Sequence, residues 1–183
     1  MWRMKTLSAL HKAEVEDAWI AAGFIRNMVW DHLSGFKVCP PNDDVDILIF
    51  NADDLSWGYE NAIEDKLKQV EPDIPWSVRN QARMHQRNDD KPYDDITHAM
   101  SHWLETATSI AVRLDNESNF QFINAYGYAD LFEMILRPTQ SGFDKINQLS
   151  ERAHSKGWLA RWVNLRYLTD DPPSPYEGKK THD

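Results

Sequence analysis

Residues 43–50 read Asp-Asp-Val-Asp-Ile-Leu-Ile-Phe, and that order of side chains leaves little choice of environment. Val45, Ile47 and Ile49 belong on the buried face of a strand, so Asp44 and Asp46 share the other face. Two carboxylates one residue apart repel each other unless positive charge lies between them. Hard oxygen donors that leave positions open are what Mg²⁺ needs when it must also bind phosphates. The stretch that leads in, from Trp19 to Leu33, places Gly23 between a short apolar run and a segment with Ile25, Met28, Val29 and Leu33 at helical spacing.

The remaining pattern mixes short helices and strands. Residues 3–12 read as an amphipathic helix with Met4, Leu7 and Leu10 on one side. Glu14 to Ala22 is ambiguous: Val15, Ala18, Trp19 and Ala22 sit at helical spacing, whereas the unbroken run Ala18–Ala22 also suits a buried strand. Two successive prolines make 37–42 a loop. Ser56 is placed to cap a helix through Val70. Trp76 to Met84 alternates as a strand beside Asp44 and Asp46, with Arg79 and Arg83 on one face roughly 13 Å apart. Asp94 or Asp95 caps a helix to about Trp103. Thr108–Leu114 and Phe120–Ala125 form a hairpin, and helices follow over 128–136 and 143–156, the latter stopped at Gly157. The class expected is α+β with a small mixed sheet flanked by helices. Residues 1–168 form the domain, and the proline-rich, polar stretch 169–183 is read as a flexible tail.

Charge narrows the partners. The net charge of −9 is uneven: 1–136 carries −11, 137–167 carries +4 and 168–183 carries −2. An extended nucleic-acid footprint needs many Lys and Arg contacts to phosphate, which an acidic chain does not supply. A nucleotide carried with Mg²⁺ remains compatible. The basic segment 137–167 suits either a solvated helix face or contact with a phosphate. The single cysteine, Cys39, excludes an internal disulfide and reads as a loop or partly buried thiol. With no leader-like N-terminus and no apolar run near ~18 residues, the expectation is a cytoplasmic protein that does not enter a membrane. His98 and His102 lie one helical turn apart without a third ligand and read as surface or core histidines. There is no P-loop, Gly-x-Ser-x-Gly elbow or paired-cysteine zinc spacing.

Gly23, Arg26 and Asn27 in AAGFIRN, followed by Asp44 and Asp46, resemble the nucleotidyltransferase (polymerase-β-like) superfamily. AAGFIRN is similar to the Gly-Gly-x-Val-Arg-Asp turn of the branch that contains tRNA nucleotidyltransferases and poly(A) polymerases. Through AAGFIRNMVWD, DDVDILIF, WSVRNQARMH, WLETATSIAVRL and YADLFEMILRP, the chain more closely resembles a bacterial family of predicted nucleotidyltransferases of unassigned substrate. The resemblance implies that Ala18–Ala22 is the first strand. It implies transfer of a nucleoside monophosphate from a nucleoside triphosphate to a hydroxyl, and the acidic charge of the chain favours a small-molecule acceptor over an RNA end. Asp44 and Asp46 would be the catalytic carboxylates holding one or two Mg²⁺. Gly23, Arg26, Asn27, Arg79 and Arg83 would bind the nucleotide, and Asp130 is a further cleft candidate. Two departures stand out. Phe24 follows Gly23, and the superfamily's third carboxylate has no clear counterpart, with Asp95, Glu105 and Asp115 as candidates. The alternatives are a non-catalytic nucleotide-binding or interaction module that keeps the fold, and a toxin–antitoxin component whose site needs a second chain.

Overall fold

The computed structural model describes residues 2–37 and 43–175. Cys39, the double-proline loop and the last part of the expected tail lie outside them. The order is α1 (Trp2–Lys12), β1 (Trp19–Ala21), α2 (Gly23–Leu33), β2 (Val45–Ile49), α3 (Trp57–Val70), β3 (Trp76–Asn80), α4 (Gln81–Asn88), α5 (Ile96–Ser101), β4 (Ile110–Leu114) and β5 (Phe120–Asn124). Then come α6 (Ala129–Phe132), β6 (Ile135–Leu136), α7 (Gln140–Phe143), α8 (Ile146–Ser155), α9 (Trp158–Arg161) and β7 (Arg166–Tyr167). The main sheet runs β3-β2-β1-β4-β5, and β6 pairs with β7 in a second. Only β2 and β3 are parallel within the five strands, which gives the expected mixed α+β sheet.

One sheet face packs Ile20, Val45, Ile47, Ile49, Val78 and Val112 against α1, α2 and α3. The opposite face carries Trp19, Ala21, Leu48 and Ala111 under Ile96 and Met100 of α5. Because alternate residues share a face, Asp46 lies on the second face with Leu48. The strand at Trp19–Ala21 agrees with the resemblance and not with the helical spacing. All three residues are buried; a strand buried on both faces loses its alternation, so periodicity cannot identify it.

Three expectations fail. The strand begun at Trp76 stops at Asn80. The Asn80 side chain accepts from Ala82 N, starting α4, and clasps the loop after β2 through Asn51 and Asp54. Arg83 therefore sits on a helix and not on a strand. The helix expected over 128–136 is one turn long, ended where Met134 takes φ 54° and the chain enters β6. The helix expected over 143–156 begins only at Ile146, as α8, after the separate one-turn α7 that ends at Phe143. Elsewhere local signals hold: Ser56 caps α3 by accepting from Tyr59 N at 3.2 Å, and Gly157 stops α8 with φ 64°. Among the described residues no helix is long and apolar enough to cross a membrane.

The segment from Trp103 to Thr106 is clamped without belonging to any long element. Its carbonyls accept from both the hydroxyl and the N–H of Thr139, and Thr106 N donates to Arg137 O. Gly142 packs so closely that a Cβ there would lie 2.2 Å from Leu104 O. Backbone on both sides prevents an easy shift. Gly142→Ala should destabilise the fold by about 2 kcal/mol or more, read as a lower denaturant midpoint in chemical unfolding.

Candidate active site

A cleft of about 460 Å³ opens beside β2. It is lined by Asp46 and Ala22, by Arg79 from the end of β3, and by Met84 and Arg87 of α4. The segment 102–105 and Lys145, Gln148 and Arg152 at α8 complete it. A larger hollow of about 770 Å³ lies between residues 10–18 and 113–116. Of the candidate site residues only Asp115 lines it, and that carboxylate caps the β4–β5 turn.

Asp46 is partly buried, and Asp44, just before the strand, is exposed. Burial pushes the Asp46 carboxyl above its ordinary value, and the charge of Asp44 adds to the shift. Arg152, then Arg79 and Arg26, pull it partly back by charge alone, without a hydrogen bond to it. Among the described residues Asp46 has neither a salt bridge nor a hydrogen-bond donor. Arg79 does not pair with it closely, and its Nη1 donates to Val78 O at 2.6 Å.

The turn before α2 differs from the expectation. Gly23 is the first residue of α2, and a Cβ on it would meet only ordinary contacts at 3.4 Å or more. The strained position is Ala22, with φ 56° and ψ −126°, a region costly for any residue with a Cβ. Arg26 turns inward. Its Nη1 donates to Thr108 Oγ1 at 2.8 Å and lies 3.5 Å from Glu105, while Nε and Nη2 donate to Asn27 Oδ1 at 3.2 and 2.9 Å. Burial pulls its pKa down to about 10, which leaves it charged at neutral pH.

The sequence candidates therefore separate. Asp46 and Arg79 line the cleft; Arg26 and Asn27 form a buried brace beneath the turn. Arg83 is spent elsewhere, with Nη2 2.8 and 3.0 Å from the two Glu60 oxygens and its guanidinium stacked 3.8 Å over Trp57. Asp130 accepts from Thr106 Oγ1 and pairs with Arg137 at 3.0 Å. Of the third-carboxylate candidates, Asp95 caps α5 and Asp115 caps the β4–β5 turn. Glu105 alone reaches the cleft, and its Oε1 accepts from Thr108 at 2.6 Å. The strand neighbours cannot supply one: Ser77 lies opposite Asp46 on β3, and the β1 register brings Ala21 to its other side. Among the described residues no three acidic, histidine or cysteine side chains form a metal-binding group. Asp44 and Asp46 still fit a single Mg²⁺ as hard donors facing open space. The sequence reading missed Arg152 and Lys145 as cleft residues. The positive charge of 137–167 was the only signal for them.

A family model for nucleotidyltransferases matches residues 8–167. A solved structure described as revealing a CCA-adding enzyme head domain is 29% identical, with 91% of this chain and 89% of that chain covered and a TM-score of 0.78. A tRNA-processing enzyme in an apo form is 15% identical with a TM-score of 0.55, a likeness of fold alone. This chain covers 43% of that longer enzyme. No curated protein matches the sequence.

Two outcomes follow from the site. Ala22→Gly should relieve the turn and stabilise the protein by about 1 kcal/mol, the strain released less the glycine's extra chain entropy, seen as a higher Tm. Asp46→Asn should also stabilise the ligand-free protein at neutral pH, by about 1 kcal/mol. A carboxyl raised by folding costs stability while ionised, and the cost disappears as pH falls through the raised value. The gain of the Asn variant should therefore vanish in acid, which paired melting curves across pH would show.

Proposed function

The chain belongs to the nucleotidyltransferase family, and on that premise we propose that it transfers a nucleoside monophosphate from a nucleoside triphosphate to the hydroxyl of a small-molecule acceptor. The observation that carries this reading is Asp46, a partly buried carboxylate without a partner among the described residues, facing a cleft that also presents Arg79, Lys145 and Arg152. A buried carboxylate that costs stability and has no partner suits a cation, and basic groups around it suit the anion that arrives with the cation. Asp44 and Asp46 would hold one Mg²⁺, which supplies charge neutralisation at the phosphates and acidifies the attacking hydroxyl.

Arg79, Lys145 and Arg152 take the remaining phosphate charge and align the triphosphate. The acceptor oxygen then forms a bond to the α-phosphorus as the bond to the bridging oxygen breaks. Pyrophosphate leaves and the hydroxyl proton passes to solvent. Arg26 and Asn27 serve by bracing the turn below. The overall charge of −9 favours a small acceptor over an extended RNA. The likeness to a CCA-adding enzyme head domain keeps an RNA end as the next acceptor to test. A non-catalytic nucleotide-binding module is the second reading, favoured by the lack of a three-carboxylate group among the described residues.

Thermal melting with ATP, GTP, CTP and UTP, each with and without Mg²⁺, tests the site. A ligand that binds only the folded state raises Tm. The expected result is a Mg²⁺-dependent rise of several degrees that disappears in Asp44→Asn/Asp46→Asn. No rise at millimolar nucleotide would reject the reading. A rise with no pyrophosphate released in the presence of candidate acceptors would favour the binding module.

A further inference from the structure

We propose that Trp103 is the platform on which the nucleobase stacks, a role that rests on the nucleotide reading above. Trp103 is the tryptophan among the residues lining the cleft, and it is partly buried against the α5 side of the sheet. The indoles of Trp19, Trp30, Trp76 and Trp162 donate their N–H groups within the protein. That of Trp103 makes no hydrogen bond among the described residues, so its ring is fixed by packing and its polar edge remains available.

The platform is rigid before any ligand arrives. Trp103 N donates to Met100 O at 3.1 Å, its carbonyl accepts from the Thr139 hydroxyl, and Leu104 O accepts from Thr139 N at 3.1 Å. The adjacent wall is also held. His102 Nδ1 lies 3.1 Å from both Asp90 and Ser141, and its ring packs 5.0 Å from that of Tyr93. A fixed aromatic face loses little freedom on binding.

Two residues beyond Trp103, the Glu105 carboxylate lies 3.9 Å from Arg152, and Arg152 is the strongest positive influence on Asp46. Trp103 lines the same cleft as Arg79, Lys145, Arg152 and Asp46, so basic groups for the triphosphate and an aromatic ring for the base face one space. A stacking face accepts every base, because every base has a π surface, so this subsite takes the nucleobase of any nucleoside triphosphate with weak selectivity.

Titration calorimetry with Mg-ATP and with Mg-tripolyphosphate isolates the base. The protein should bind ATP about tenfold more tightly than tripolyphosphate. Trp103→Leu, which keeps apolar bulk for the packing, should abolish that difference and leave tripolyphosphate binding unchanged. Trp103→Phe should retain most of it. Equal affinity for the two ligands in the unaltered protein overturns the platform alone. So does a Trp103→Leu protein that keeps the ATP advantage or weakens both ligands equally. Binding of neither ligand overturns the platform together with the nucleotide reading.

Discussion

A guanidinium with almost no access to water lies under the turn that opens α2, and the geometry of the cleft depends on it. Burying Arg26 carries a desolvation penalty of several kcal/mol. Thr108, Glu105 and Asn27 offset it with oriented oxygens, and the Trp158 ring lies 4.1 Å beneath the charge. These partners come from α2, from the segment between α5 and β4, and from α9. One planar cation therefore sets the relative positions of three pieces of chain. The bidentate and stacked geometry explains why lysine would not substitute. Glu105, one end of this brace, is also the group nearest Arg152, so the buried pair and the open cleft share a wall.

Asp46 is the opposite case. Its charge is also partly buried, but among the described residues nothing balances it by hydrogen bonding. Its strand neighbours Ser77 and Ala21 are small, which leaves room on that face but no donor strong enough to satisfy a carboxylate. The fold thus tolerates a local cost at Asp46 and spends well-placed hydrogen bonds on Arg26. A residue kept in an unfavourable protonation state is more informative about ligands than one whose partners are already present.

How much could be read in advance varied with how local the determinant was. The strand that carries Asp46, the Ser56 cap, the β4–β5 hairpin and the stop at Gly157 depend on neighbours in sequence, and all were legible. The first strand needed the family resemblance, because burial on both faces erased its period. Arg83 was misplaced because Ala82 and Met84 happened to continue the alternation of Trp76 and Val78, while the event that ends the strand, the Asn80 side chain closing onto Asn51 and Asp54, is long-range. The left-handed turn fell on Ala22 although glycine at 23 was the obvious carrier. An alanine at positive φ has no local signature; only the surrounding packing holds it there.

The charge distribution was visible but not its purpose. The positive segment 137–167 allowed two readings, a solvated face or a phosphate contact, and its residues divide between pairing and the cleft. Arg137 pairs with Asp130, Lys156 with Asp43 and Arg161 with Asp31, each joining the end of the domain to its acidic body. Lys145 and Arg152 instead face the cleft. The first group draws the C-terminal helices onto the sheet, and in doing so delivers the second group to Asp46. An acidic protein repels a free triphosphate at long range. Local positive charge, supplied by a segment distant in sequence and shared with a bound cation, is what would let this cleft accept one.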